Sequence, residues 1–460
     1  MSTAAASSAN AVLRISHRVG ASTADRAVRF RATRLLTLFL AGIAFVPAAG
    51  AEGGGFLTLK QLSNHADPSL LRVSGGALVA YDIESTGSVD VLDAGGTTHT
   101  VVSGWPAVSD PQLVRKPDGT IFLYFGGSTP DLKTQGALRF ASIDGGASWS
   151  GPVKTNPAST IGDVQASALR RDGAPLFSQD GTGFVNVYQG DNGGTLRNDF
   201  NLCCGYNESL AVDTTGLAQL AFWSNATGKS GYMYEKLDEA GGATAAPVNL
   251  AAGTDAQASP SINRLPLVAA GAGNTFMAWP GARHVTIAAL GAGKLRRKFA
   301  TGTAGAPRQV ALAVEPDGTK LWVVWTQGKY LWATRLRDAA HAATPIVVRT
   351  PLPAGRTPYT LEAVGLAGQV QAVVNVSGTP GNTLWRTQLI PGLAANTSRK
   401  PKPVVKIRDD VAPVKGATLR GGGKIAHTNA KGLASLKGFK RHALVKVTKA
   451  GYFGTSFRVT

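Results

Sequence analysis

The feature that most constrains this chain is a short unit that returns about every fifty residues, a period typical of radial repeat folds. Each copy is a Gly or Asp-Gly turn followed by an apolar, β-branched and aromatic run. Residues 75–81 read GGALVAY, 117–125 PDGTIFLYF, 181–188 GTGFVNVY and 215–223 TGLAQLAFW; 273–279 read GNTFMAW, 316–325 PDGTKLWVVW and 365–374 GLAGQVQAVV. The turns supply positive φ, and the runs suit a pleated strand. A second short strand precedes most copies, at 66–70, 109–113, 165–169, 208–212 and 257–261, and a third follows most of them, as at 331–336 (LWATRL) and 384–389 (LWRTQL).

Three strands and a variable fourth per period make a four-stranded blade. A lone blade cannot bury both faces, so blades have to stack around a ring. The expectation is an all-β chain: a β-propeller of six or seven four-stranded blades over residues 52–396. After it comes a basic linker, 397–403 (TSRKPKP), and then short alternating segments over 404–460 read as a small β-sandwich.

Charge divides unevenly along the chain. Of the formal net charge of +19, the stretch from Arg399 onward supplies fifteen Lys or Arg against only Asp409 and Asp410. At the other end, Arg26, Arg29, Arg31 and Arg34 precede an apolar run at 35–46, then Pro47 and small residues up to Ala51. That order reads as a signal peptide with a long n-region over 1–51, and the run is short of the ~20 residues that span a bilayer. The chain is therefore expected to be secreted or associated with the cell envelope, with no transmembrane segment in the mature form. Aromatics are sparse in the basic tail, which argues against nucleic acid. For an exported protein, the tail points instead to an anionic cell-wall polymer. The only cysteines, Cys203 and Cys204, are adjacent: a vicinal disulfide is one reading, and no metal site or cofactor is expected.

Ser142-Ile143-Asp144-Gly145-Gly146-Ala147-Ser148-Trp149 fits the Ser-x-Asp-x-Gly-x-Ser/Thr-Trp pattern. It resembles the Asp box of sialidase-like (BNR) propellers, in which Ser142, Asp144, Gly146, Ser148 and Trp149 would have a structural role away from the ligand face. The segment 65–72, HADPSLLR, looks like the opening motif of furanosidase-type propellers and implies Asp67 as a general base. Asp110 could then tune it and Glu208 could be the acid, since glycoside hydrolysis needs paired carboxylates. Residues 404–460 resemble carboxypeptidase-regulatory-like or bacterial Ig-like modules. No Arg-Ile-Pro segment of a catalytic sialidase follows the leader.

Three functions stay open at this point. The first is glycan binding without catalysis, with Arg72, Arg115, Trp105, Tyr206, Trp223 and Trp279 as ligand contacts, because sugar ring faces stack on aromatics. The second is an exo-acting glycoside hydrolase, and the third a scaffold for protein partners.

Overall fold

The computed structural model describes residues 60–61, 68–155, 164–180, 185–189, 195–200, 205–226, 230–238, 242–251, 266–270, 274–290, 296–300, 305–337, 346–378, 381–399 and 402–459. Asp67, Cys203, Cys204 and the side chain of Tyr206 lie outside them. Among the described residues the one helical element is a 3-10 turn, Glu84–Thr86, and no helix is long and apolar enough to cross a membrane.

The rest is strand. Seven four-stranded antiparallel sheets follow one another, each a meander in which sequential strands are neighbours. Blade one comprises Ser69–Val73, Gly76–Ile83, Ser88–Leu92 and Thr98–Val102; blade two comprises Ala107–Arg115, Ile121–Ser128, Gln135–Ser142 and Ser150–Lys154. Blades three to six open with Val164–Leu169, Gly205–Val212, Leu267–Ala270 and Pro307–Val314, and blade seven with Thr357–Leu366. The fourth strand of blade seven does not follow its third. It is Lys60–Gln61, which pairs with Thr383–Leu389, so the segment ahead of blade one completes the last sheet.

Period-2 alternation makes each blade apolar on both faces, and every face is covered by the next blade. Leu78 and Ala80 of blade one pack with Leu123 and Phe125 of blade two, while Val79 and Tyr81 on the opposite face pack with Val373 and Leu384 of blade seven. Equivalent layers join blades two and three, three and four, four and five, five and six, and six and seven. The first strand of each blade also lies against that of the next, and that of blade seven against that of blade one. The succession of sheets thereby returns to its start, and the blade number is seven.

One repeat copy was out of step. In blade three the second strand is Pro175–Asp180, and residues 181–188, read from sequence as the second strand, supply the third, Val185–Gln189. The proline start and polar end of PLFSQD hide it, and this offset accounts for the short spacing to the fourth copy.

The chain then builds a β-sandwich. One sheet is ordered Ala394–Ser398, Val404–Arg408, Leu433–Ser435; the other Lys424–His427, Thr418–Gly421, Leu444–Thr448, Thr455–Arg458. Val405, Ile407, Leu419, Val445 and Val447 fill the space between them. Thr397 and Ser398 of the basic stretch are strand residues paired with Val405 and Val404, so the sandwich's pairing begins at Ala394.

Candidate functional site

A channel of about 210 Å³ is lined by the first strand of all seven blades, through residues such as Ser69, Gln112, Ser167, Ser209, Leu267, Ala311 and Glu362. It is narrow because those seven strands stand shoulder to shoulder. Chemistry has to come from what surrounds its ends.

The starting end of the inner strands has a repeated irregularity. In blade two the register jumps between Ser109 and Gln112, so Asp110 and Pro111 oppose a single residue, Phe125, of the next strand. Blade three skips Gln165, blade four Asn207 and Glu208, blade six Arg308 and Gln309, and blade seven Tyr359. These are β-bulges, which bend a strand and re-aim its side chains. All five inner strands described through this level carry one, and each bulge sits one or two residues ahead of the channel-lining residues Gln112, Ala166, Ser209, Val310 and Leu361. Asp110 (φ 45°) and Asn207 (φ 58°) occupy the left-handed region, which Asp and Asn tolerate better than other non-glycine residues.

The bulges gather polar groups from five blades at one mouth. Gln165 Nε2 donates to Asp110 Oδ2 across the gap between blades two and three, at 3.2 Å. Arg308 and Tyr359 are exposed, while Gln309, whose N–H donates to Thr326 Oγ1 at 3.1 Å, is buried. Glu208 is 0% exposed and Asp110 9%. Two of the three carboxylates expected from sequence, Asp110 and Glu208, thus come to the same end of the channel, and both are buried.

The other expected ligand contacts fall elsewhere. Antiparallel order puts the far ends of the inner strands, and the turns between third and fourth strands, at the end opposite the mouth. Arg72 lies there, its Nη1 donating to the carbonyls of Val314 and Gly365, each at 3.2 Å. It ties blade one to blades six and seven. Arg115, at the end of its strand opposite Ile121, is also at this end. Trp223 and Trp279 are buried between blades four and five, where Trp279 meets Tyr232 with ring centroids 5.8 Å apart. Trp105 packs on Phe125 and Phe140. Trp223 and Trp279 are inter-blade core, and Trp105 is half-buried against the core between blades one and two.

Residues 142–149 form a closed hydrogen-bonded loop, also at the end away from the mouth. Asp144 accepts from Ser142 Oγ (2.8 Å), Ser148 N (2.9 Å) and Ser148 Oγ (2.5 Å), which holds its carboxyl far below the usual carboxylate range. Gly146 N–H donates to Ser142 Oγ at 2.8 Å, and Trp149 Nε1 to the Gly146 carbonyl at 3.1 Å. Gly146 has φ 101°, and a β-carbon there would meet Leu78 Cδ1 at 3.1 Å.

Sequence reasoning missed a second polar cluster, where the sandwich meets blades six and seven. Arg335, at the end of Tyr330–Leu336, has Nη2 2.5 Å from Asp409 Oδ2 and Nη1 3.3 Å from Glu315 Oε1. Trp322 Nε1 donates to Glu315 at 3.1 Å, and Tyr452 Oη to Asp409 at 3.2 Å. Asp410 accepts from the N–H groups of Ile346 and Arg335, yet burial pushes its carboxyl up to about 8. Phe453 joins the core between blades six and seven. A cavity of about 480 Å³ adjoins the cluster. The available signal was that Asp409 and Asp410 are the lone acids of an otherwise basic tail. Among the described residues no group of three or more His, Cys, Asp or Glu could hold a metal ion.

No family model matches the chain, and no curated protein matches it in sequence. Among solved structures, virginiamycin B lyase from Staphylococcus aureus aligns over 73% of this chain and 100% of its own, at 11% identity and a TM-score of 0.47. The α-L-arabinanase of Penicillium chrysogenum aligns over 62% of this chain and 94% of its own, at 10% identity and a TM-score of 0.42. Polysaccharide lyase Uly1 aligns over 70% and 89%, at 10% identity and a TM-score of 0.43.

Proposed function

We propose that the chain is an exported propeller that binds extracellular glycan, without cleaving it, at the mouth formed by the inner-strand bulges. The observation that carries this reading is the recurrence of the bulge in five blades with a polar residue on each. A sugar presents many hydroxyls over a small area, and donors and acceptors converging from several blades suit it. Asp110, Gln165, Asn207, Arg308 and Tyr359 are the proposed contacts. Of the aromatic platforms expected from sequence, Trp223 and Trp279 are core and Trp105 packs against the core between blades one and two, so recognition rests on polar groups, with Tyr359 as the stacking surface.

Burial of Glu208 favours binding over hydrolysis, because a general acid has to reach the glycosidic oxygen. The test is a glycan array together with a panel of chromogenic glycosides, using wild type, Glu208→Gln and the double variant Asp110→Asn/Gln165→Ala. Asn keeps the left-handed backbone at 110. Saturable binding without turnover, weakened roughly 10- to 100-fold in the double variant, is expected if one or two charged hydrogen bonds to sugar are lost. Turnover that disappears in Glu208→Gln would replace this reading with a glycoside hydrolase. Neither binding nor turnover would leave the protein scaffold.

A further inference from the structure

The sandwich has two carboxylates in its described sequence, and both are consumed at the junction: Asp409 by Arg335, Tyr452 and the N–H groups of Val411 and Ala412, and Asp410 by the N–H groups of Ile346 and Arg335. What the module shows to solvent is therefore cationic, with no acid among its described exposed residues.

One sheet organises part of that charge. In the sheet ordered Lys424–His427, Thr418–Gly421, Leu444–Thr448, Thr455–Arg458, the inward positions Leu419, Val445 and Val447 are buried. The outward positions are fixed by register: Arg420 pairs with Lys446, Lys446 with Ser456, and Leu444 with Arg458. Thr418 pairs with His427 and with Thr448. Three successive strands thus each present a cation on one face, interleaved with Thr418, Thr448 and Ser456, and neighbouring strands in a sheet lie about 4.8 Å apart. Arg458 also donates to the His442 carbonyl at 3.1 Å, which holds its guanidinium near the face.

We infer that this outward face is a docking surface for a carboxylate-bearing polysaccharide lying across the strands. Guanidinium forks match carboxylates, and the hydroxyls between them match sugar hydroxyls. The exposed apolar side chains of the face, Ile425 and Leu444, stand opposite Arg420 and Arg458 and form no continuous apolar patch of the kind a folded protein partner buries. The inference does not rest on the mouth as a glycan site.

The experiment uses the full chain and polygalacturonate as probe, with dextran as the uncharged control. Two triple variants of equal charge are compared: Arg420→Ser/Lys446→Ser/Arg458→Ser on the face, and Lys406→Ser/Lys431→Ser/Lys437→Ser elsewhere on the module. Binding at low salt that the face variant weakens about tenfold or more and the control variant less than about threefold is expected from three surface cations acting together. Added salt should weaken it further, since the contacts are exposed. Equal losses in both variants would overturn the inference, because net charge alone would then account for binding. Anionic lipid vesicles or duplex DNA bound in preference to polygalacturonate would also overturn it. Asp110→Asn/Gln165→Ala has to leave this binding unchanged; a parallel loss would assign polygalacturonate to the mouth instead. The exposed positions of all six lysines and arginines predict unchanged thermal melts, which checks folding.

Discussion

Replacing Arg335 by Met tests how the sandwich is held. The guanidinium serves Glu315 and Asp409, whose side chains are 4% and 6% exposed, so removing it strands two buried carboxylates. Breaking a buried pair in this way costs about 3–5 kcal/mol, most of it the penalty of an uncompensated charge. Here the lower part of that range applies. Asp409 keeps the N–H groups of Val411 and Ala412 and the Tyr452 hydroxyl, and Glu315 keeps the Trp322 indole, the Gly368 N–H and Lys320 at 3.6 Å. We expect a loss of about 3 kcal/mol at pH 8 by urea unfolding, and faster hydrogen exchange at residues 409–413. Neutralising all three groups together, as Arg335→Met/Glu315→Gln/Asp409→Asn, should recover most of it, because no charge is then left without its partner. A single-variant loss below about 1 kcal/mol, or a triple variant as unstable as the single one, would refute the reasoning.

Four further outcomes follow. Burial raises the Glu235 carboxyl from 4.5 to about 8, so the stability it contributes is fully present below about pH 4.5 and is lost as pH rises towards 8. Glu235→Gln should therefore flatten the pH dependence of stability and raise it at pH 8, by no more than about 5 kcal/mol; a drop at pH 8 would contradict this. Arg72→Met removes two hydrogen bonds between blades, one exposed and one half-buried, and should cost about 1 kcal/mol while leaving glycan affinity at the mouth unchanged, checked by denaturation and by the glycan array. Asp144→Ala opens the 142–149 loop and should lower the melting temperature at pH 7 without altering binding. Because folding depresses this carboxyl, the wild-type advantage should fade as pH falls below about 4, measured as melting temperature against pH. Gly365→Ala places a β-carbon 2.3 Å from the Val314 carbonyl oxygen, inside van der Waals contact, and should reduce soluble yield where Gly368→Ser, with open space, does so less.

How far the sequence disclosed this molecule depended on how local each signal was. The Asp-Gly turn at 118–119 and the run after it identify a strand without help from the rest of the chain, and so does LWVVW at 321–325. The loop at 142–149 was equally legible, since its hydrogen bonds span at most four residues. The closing strand Lys60–Gln61 was not, because two residues carry no periodicity and their partner lies more than three hundred positions away. The bulges were invisible for a related reason: an extra residue in a strand breaks alternation as a turn or a loop start would. Trp223 and Trp279 misled because a large aromatic at a strand end reads the same whether it packs against the next blade or faces solvent. Asp409 and Asp410 had no visible partner until the fold brought Arg335 beside Asp409.

The most direct measurement is hydrogen exchange with and without the glycan that binds best. The account predicts protection concentrated at residues 107–112, 164–166, 205–209, 307–310 and 357–360, five separate stretches that meet at one opening. Protection confined to the far ends of the inner strands, around 72 and 115, or to the cavity beside Arg335, would contradict it.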